Sequence, residues 1–168
     1  RDAIRKEIEE KGLDREGQFY RGTFDENDID ASLLALPIYG YLAADDPRMQ
    51  KTYNLIWEQL GRNGLLRRHR KINGAPMQEE GAFGAACFWS AECLALQGRT
   101  DEARAQLDYF LRYANDLGLY GEEIETQTGA VLGNFPQAYT HIGLINAVVA
   151  LARSEAGEKP KRKEADAP

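Results

Sequence analysis

The 168 residues carry 27 acidic and 21 basic side chains, and the net charge of -6 is spread along the chain. No basic stripe is left for a phosphate backbone, which excludes nucleic acid as a partner. No apolar run approaches the roughly 20 residues that cross a bilayer, and no signal-peptide hydrophobic region opens the chain, so no membrane partner is expected and a cytoplasmic location is. With 43% hydrophobic residues there is material for one substantial core. Cys87 and Cys93 fall six apart in one apolar segment, where a helix turns them to different sides, which fits free thiols in a reducing compartment. Arg1 already lies inside a charged periodic pattern, which reads as the interior of a longer protein.

In chain order, residues 1–11 predict a helix with Ile4 and Ile8 on one face and Gly12 as its stop. Residues 13–27 read as a looped crossing around Gly17, Gly22 and Gln18-Phe19-Tyr20. A second helix is expected from Asp28 or Asp30 to Tyr41, bent or interrupted at Pro37. Asp46-Pro47 starts a third, with Met49, Tyr53, Ile56, Trp57 and Leu60 on one side and Gly61 ending it. The basic run from Arg67 to Lys71 leads through Asn73-Gly74-Ala75-Pro76 to Glu79 and Glu80, which begin to cancel it. From Gly81 to Gln97 the apolar character goes all round, the mark of a helix buried on most sides. Thr100-Asp101-Glu102 is read as the cap of the next helix, and the short gap between the two predicts an antiparallel hairpin. A long loop, 118–137, precedes a last helix after Pro136. From Arg153 the composition turns polar, so residues 1–152 are read as one domain and 153–168 as a disordered tail.

This all-α pattern, about six helices in three hairpins joined by alternating short turns and long loops, points to part of a toroid or solenoid rather than a four-helix bundle. The stretch Asn115–His141 gathers Glu122, Glu123 and Glu125 in a glycine-punctuated loop at the entrance to the last helix. A carboxylate held there can act as acid, base or sugar ligand, or can simply be a solvated loop residue.

Several separated blocks carry a resemblance: Glu80-Gly81-Ala82-Phe83 leading to Phe88-Trp89, Gly98-Arg99 with Glu102-Ala103, Tyr113 through Ile124, and Gly133 through Asn146. Together they resemble the C-terminal half of a bacterial or archaeal glycoside hydrolase family 15 domain, the glucoamylase family that also contains glucodextranases and trehalases. The resemblance implies half of an (α/α)6 toroid of inner and outer helices, with catalysis at one end. It implies hydrolysis of terminal α-linked glucose with inversion and without a cofactor. It makes Glu122 the general base, with Glu123 its main rival, and places the general acid in a Trp-Glu-x-Arg block upstream of anything in this chain. It also makes Arg68 a ligand for sugar hydroxyls. Glu80 and Tyr120 join Glu123 as expected substrate contacts, by hydroxyl binding and by stacking.

Phe83 is expected to be core, and Tyr139 and His141 structural. Two histidines 72 positions apart make no zinc site, so no metal is assigned to this chain. The expected partners are a carbohydrate ending in α-linked glucose and the missing N-terminal half of the barrel. An uncovered edge also predicts dimerisation or marginal stability. The alternatives are a helical scaffold without catalysis and a trehalase-type member of the same family.

Overall fold

The computed structural model describes residues 1–69, 71–72, 75–76 and 81–158. The charged repeat at the start forms α1 (Asp2–Lys11), and none of its residues is buried. Glu9 ties it to the body, accepting hydrogen bonds from the hydroxyls of Tyr41 at 2.8 Å and Tyr20 at 3.2 Å and from Arg48 at 3.0 Å. The second expected helix is shorter than its pattern. It is a 3₁₀ turn (Ala31–Leu34) running into α2 (Ala35–Ile38), started by Asp30, whose carboxylate accepts from Ser32 N–H at 2.7 Å. Pro37 has no N–H for an upstream carbonyl, and Gly40, at φ 73°, turns the chain away.

Helix α3 (Pro47–Leu60) begins and ends where Asp46-Pro47 and Gly61 predict. The Asp46 carboxylate accepts from Arg48 N–H at 2.9 Å and pairs with the Arg48 guanidinium at 2.9 Å. Asp46→Ala is expected to destabilise the fold by about 1 kcal/mol, the usual cost of a lost N-cap. Urea denaturation at pH 7 checks it, and an unchanged midpoint would show that the cap contributes nothing.

After α3 a tight hairpin joins β1 (Gly61–Arg62) to β2 (Leu65–Leu66). Asn63 and Gly64 both take positive φ, 49° and 75°, as a two-residue hairpin turn requires. Strands β3 (Lys71–Ile72) and β4 (Ala75–Pro76) pair antiparallel next. Strand β5 (Ala82–Phe83) leads directly into α4 (Gly84–Leu96), and Gln97 to Arg99 turn the chain back into α5 (Thr100–Leu111). The loop that follows is partly ordered as β6 (Glu123–Ile124) and β7 (Val131–Leu132), and α6 (Ala138–Glu155) closes the described chain.

The expected cap of α5 is corrected by the structure. Helix α5 starts on Thr100 itself with Arg99 in the cap position, and the Thr100 hydroxyl lies 2.6 Å from that of Ser154 on α6. The polar tail also starts later than residue 153. Helix α6 runs to Glu155, whose carboxylate takes both Nε and Nη2 of Arg104 at 3.1 and 2.6 Å. Residues 159–168 lie outside the described residues.

Helix α4 is buried on almost every side, from Gly84 through Ala95, as its all-round apolar character predicts. It and α6 run parallel and very close: a methyl group on Gly84 would stand 2.8 Å from Thr140 Cγ2, and one on Gly143 would stand 3.2 Å from Phe88 Cβ. Helices α3 and α5 bury one face each, with Met49, Tyr53, Ile56 and Leu60 on the first and Ala103, Leu107 and Phe110 on the second. Cys93, buried and unpaired, donates its thiol to the Leu34 carbonyl at 3.3 Å and so joins α4 to the 3₁₀ turn. This is a partial six-hairpin α/α toroid.

Candidate active site

The N-terminal ends of α4 and α6 point to the same end of the body, and a three-stranded sheet in the order β5-β6-β7 sits across them. Phe83 pairs with Glu123 and Ala82 with Ile124, while Glu123 pairs with Leu132 and Ile124 with Val131. The exit of the first loop reaches this end too, since Ala31 N–H donates to the Arg68 carbonyl at 2.8 Å.

Glu122 lies at the head of β6. Its backbone is held on both sides, by Gly84 N–H donating to its carbonyl at 2.9 Å and by its own N–H donating to the Asn134 carbonyl at 2.9 Å. Its side chain is held as well: Oε2 accepts from Asn134 N–H at 3.1 Å and from Asn134 Nδ2 at 2.7 Å. Among the described residues Oε1 has no hydrogen-bond partner. Gly133 makes this approach possible. Its φ is 70°, and a methyl group there would stand 2.9 Å from Glu122 Oε2. Just upstream, the buried Thr140 hydroxyl donates to the Gly121 carbonyl at 2.9 Å, which pins the loop to α6.

The neighbouring carboxylates take other surroundings. Glu123 lies against Gly81, where a methyl group would meet its Cβ at 3.1 Å and Oε2 at 3.2 Å. Glu125 organises the β6–β7 turn, accepting from the Thr128 hydroxyl at 2.7 Å and from the N–H groups of Thr128 and Gln127 at 2.6 and 3.0 Å. Those bonds, the Thr128 hydroxyl first, hold its pKa below the ordinary carboxylate value.

Arg68 is exposed, with its guanidinium carbon 5.7 Å from the centroid of the Phe83 ring. It therefore stands beside the residue that pairs with Glu123. Glu80 lies outside the described residues. Tyr120 is placed differently from expectation. It is 4% exposed, its hydroxyl donates to the Leu111 carbonyl at 3.3 Å, and its ring meets Phe88 edge-on at 5.3 Å. A ring so enclosed is core and offers no face to a sugar. His141 is structural, as expected, with Nδ1 2.7 Å from the Gln137 carbonyl and Nε2 receiving Tyr120 N–H at 3.3 Å.

At the same end of the body Phe83, which pairs with Glu123, forms an aromatic cluster with Trp89 and Tyr139. Phe83 and Trp89 meet edge-on at 6.0 Å, Trp89 and Tyr139 edge-on at 5.4 Å, and Tyr139 remains 45% exposed. From the sequence Tyr139 is expected to be structural, and Trp89 is given no site role. The signal available was their placement, Trp89 in the first turns of α4 and Tyr139 at the mouth of α6. This end of the body thus carries a carboxylate oriented by an amide, an exposed guanidinium and a partly open aromatic cluster, group types that suit a neutral, hydroxyl-rich ligand. A groove of about 550 Å³ between α3 and α5, lined by Tyr53, Trp57 and Tyr109 among others, shares no residue with this cluster.

Comparison with known proteins places these observations. The family described as glycosyl hydrolases family 15 matches residues 1–149. A trehalase of Mycobacterium tuberculosis is 40% identical over 156 residues, which cover 92% of this chain and 23% of that protein. A trehalase of Thermoplasma volcanium is 41% identical over 145 residues, covering 86% of this chain and 23% of that protein. The chain thus spans about a quarter of the length of these relatives. Among solved structures, a wild-type glycosidase superposes with a TM-score of 0.74 at 18% identity, over 90% of this chain and 43% of that one.

Proposed function

This chain belongs to glycosyl hydrolases family 15, and from that premise we propose that it is the segment of a trehalase-type α-glucoside hydrolase that supplies the general base, Glu122. In the completed toroid the water oxygen bonds to the anomeric carbon and the glycosidic C–O bond breaks. The proton of the water passes to Glu122, and the leaving oxygen takes its proton from a carboxylic acid on hairpins outside this chain. Inversion needs the two carboxyl groups about 6.5–9.5 Å apart on opposite faces of the sugar ring. Glu122 and Glu123, adjacent in one loop, cannot fill both roles. Arg68 binds sugar hydroxyls, and Tyr139 with Trp89 offers the apolar wall.

The observation that carries this reading is the hold on Glu122: Asn134 gives Oε2 two donors, while among the described residues Oε1 has no hydrogen-bond partner. The relatives that are trehalases, at 40 and 41% identity, favour trehalose among the α-glucosides. The 168-residue chain alone is expected to release no glucose from trehalose or maltose. Co-expression with the complementary hairpins of a family 15 trehalase is expected to restore release, and to restore it only with Glu122 intact. Turnover by the chain alone, clearly above a Glu122→Gln control, would overturn the proposal.

A further inference from the structure

Helix α4 is covered by the rest of the chain on every side but one. Gly84 and Phe88 lie against α6, Cys87 lies against β2, where its sulfur receives Leu66 N–H at 3.3 Å, and Ser90 lies against α5, its hydroxyl 2.9 Å from Gln106 Oε1. Cys93 reaches the 3₁₀ turn through the Leu34 carbonyl. Trp89 and Leu96 are the only residues of α4 that are not buried. Glu92 stands between them, three residues from one and four from the other, so all three follow one line along the helix.

Glu92 is also the one charged residue of α4, and the elements packed on this helix bring no cation to it. The 3₁₀ turn, α2, β2 and β5 hold no charged side chain, α6 holds none from Ile142 to Ala152, and α5 lies on the far side of the helix, against Ser90. Burial alone moves the Glu92 carboxyl, and the Cys93 thiol beside it is pushed up by burial and then by Glu92. Glutamates this enclosed are almost never found unpaired, because an unpartnered buried carboxylate is costly where a neutral side chain is not. The match covers 43% of the glycosidase on which this chain superposes, so more than half of that fold comes from elements this chain does not hold. In a closed ring, the side of a helix that its own half leaves open is covered from the other half.

We propose that Glu92 is where the two parts of the toroid lock together: its carboxylate pairs with an arginine or lysine carried on the hairpins outside this chain, and Trp89 and Leu96 pack on those hairpins to either side of it. Apolar contact alone would let the parts slide along each other, whereas one buried ion pair fixes their register. The pairing rests on the reading of this chain as a segment of a larger toroid, and on no part of the role given to Glu122.

The test uses the toroid assembled by co-expressing the full chain with the complementary hairpins of a family 15 trehalase, its dissociation followed by dilution of a fluorescently labelled complex. At pH 8, Glu92→Gln is expected to raise the dissociation constant by about 10-fold or more, because the cation of the other part is left buried without its partner. Wild-type association should tighten as pH rises toward about 7, since the unassembled chain keeps the Glu92 proton up to that point while the paired carboxylate has already lost it, and should be flat above. Glu92→Gln should lose that slope. Assembly by Glu92→Gln as tight as by the wild type, a slope that persists in Glu92→Gln, or wild-type association that does not change with pH below about 7 would each overturn the pairing and leave the segment reading standing. A wild-type chain that does not assemble with the hairpins at all would overturn the segment reading, and the pairing with it.

Discussion

Joined to the hairpins that complete the toroid, the Glu122→Gln variant is expected to lose about 10²- to 10⁴-fold in turnover while its affinity for glucose-like ligands changes little. Glutamine keeps the length of the side chain and its Oε1 can still accept both Asn134 donors, so the loop should not move. What it lacks is a group that can take a proton from water. Glu123→Gln, which alters the carboxylate packed against Gly81, should cost much less. Arg68→Ala should raise the Michaelis constant, since in the proposed site its guanidinium binds hydroxyls and removes no proton. Steady-state kinetics of the three variants decide the assignment. If Glu123→Gln is the dead variant and Glu122→Gln turns over normally, the base is Glu123.

The second large effect concerns stability and involves Glu92, on the buried helix α4. It is 8% exposed and its Oε2 has no hydrogen-bond partner among the described residues. Burial pushes its pKa from the ordinary 4.5 up to about 7. Between those values the unfolded chain is ionised at this position while the folded chain keeps its proton. The stabilisation is therefore fully present below pH 4.5 and is lost as pH rises to about 7, after which the curve is flat. The loss over that window is about 3 kcal/mol. Glu92→Gln has no proton to lose and should match the wild type at pH 4.5, exceeding it by about 3 kcal/mol at pH 8. Denaturant unfolding at a series of pH values, at one protein concentration, tests this. A wild-type slope that persists unchanged in Glu92→Gln would assign the pH dependence to other groups.

Much of the helical frame was legible because each signal was local. Asp46-Pro47 and Gly61 bracket α3 at its observed ends, and the unbroken apolar run after Gly81 predicts the burial of α4. The second helix was overestimated because Ile29 through Tyr41 looks periodic, while the 3₁₀ turn and Pro37 leave room for only four α-helical residues. The strands were invisible, since two residues carry no alternation to detect. At the site, Glu122 stood out only through the resemblance of its flanking blocks; three glutamates in a loop are chemically alike until their partners are known. Those partners, Gly133 and Asn134, lie beyond a turn whose closure depends on Glu125, so the sequence put them far from the residue they hold. Tyr120 was misjudged for the opposite reason. Its nearness to Glu122 along the chain suggested the pocket, whereas its side chain turns inward against Phe88.

Glu122 is anchored from two helices at once, through Gly84 N–H at the start of α4 and, one residue upstream, through the Thr140 hydroxyl near the start of α6. Between those anchors Gly84 and Gly143 leave α4 and α6 little room for a side chain at their contact. The carboxylate is thus slung like a bridge deck between two piers, and its position is a reading of their separation. Whatever wedges α4 from α6, even several turns below the loop, moves the Glu122 carboxylate without touching it.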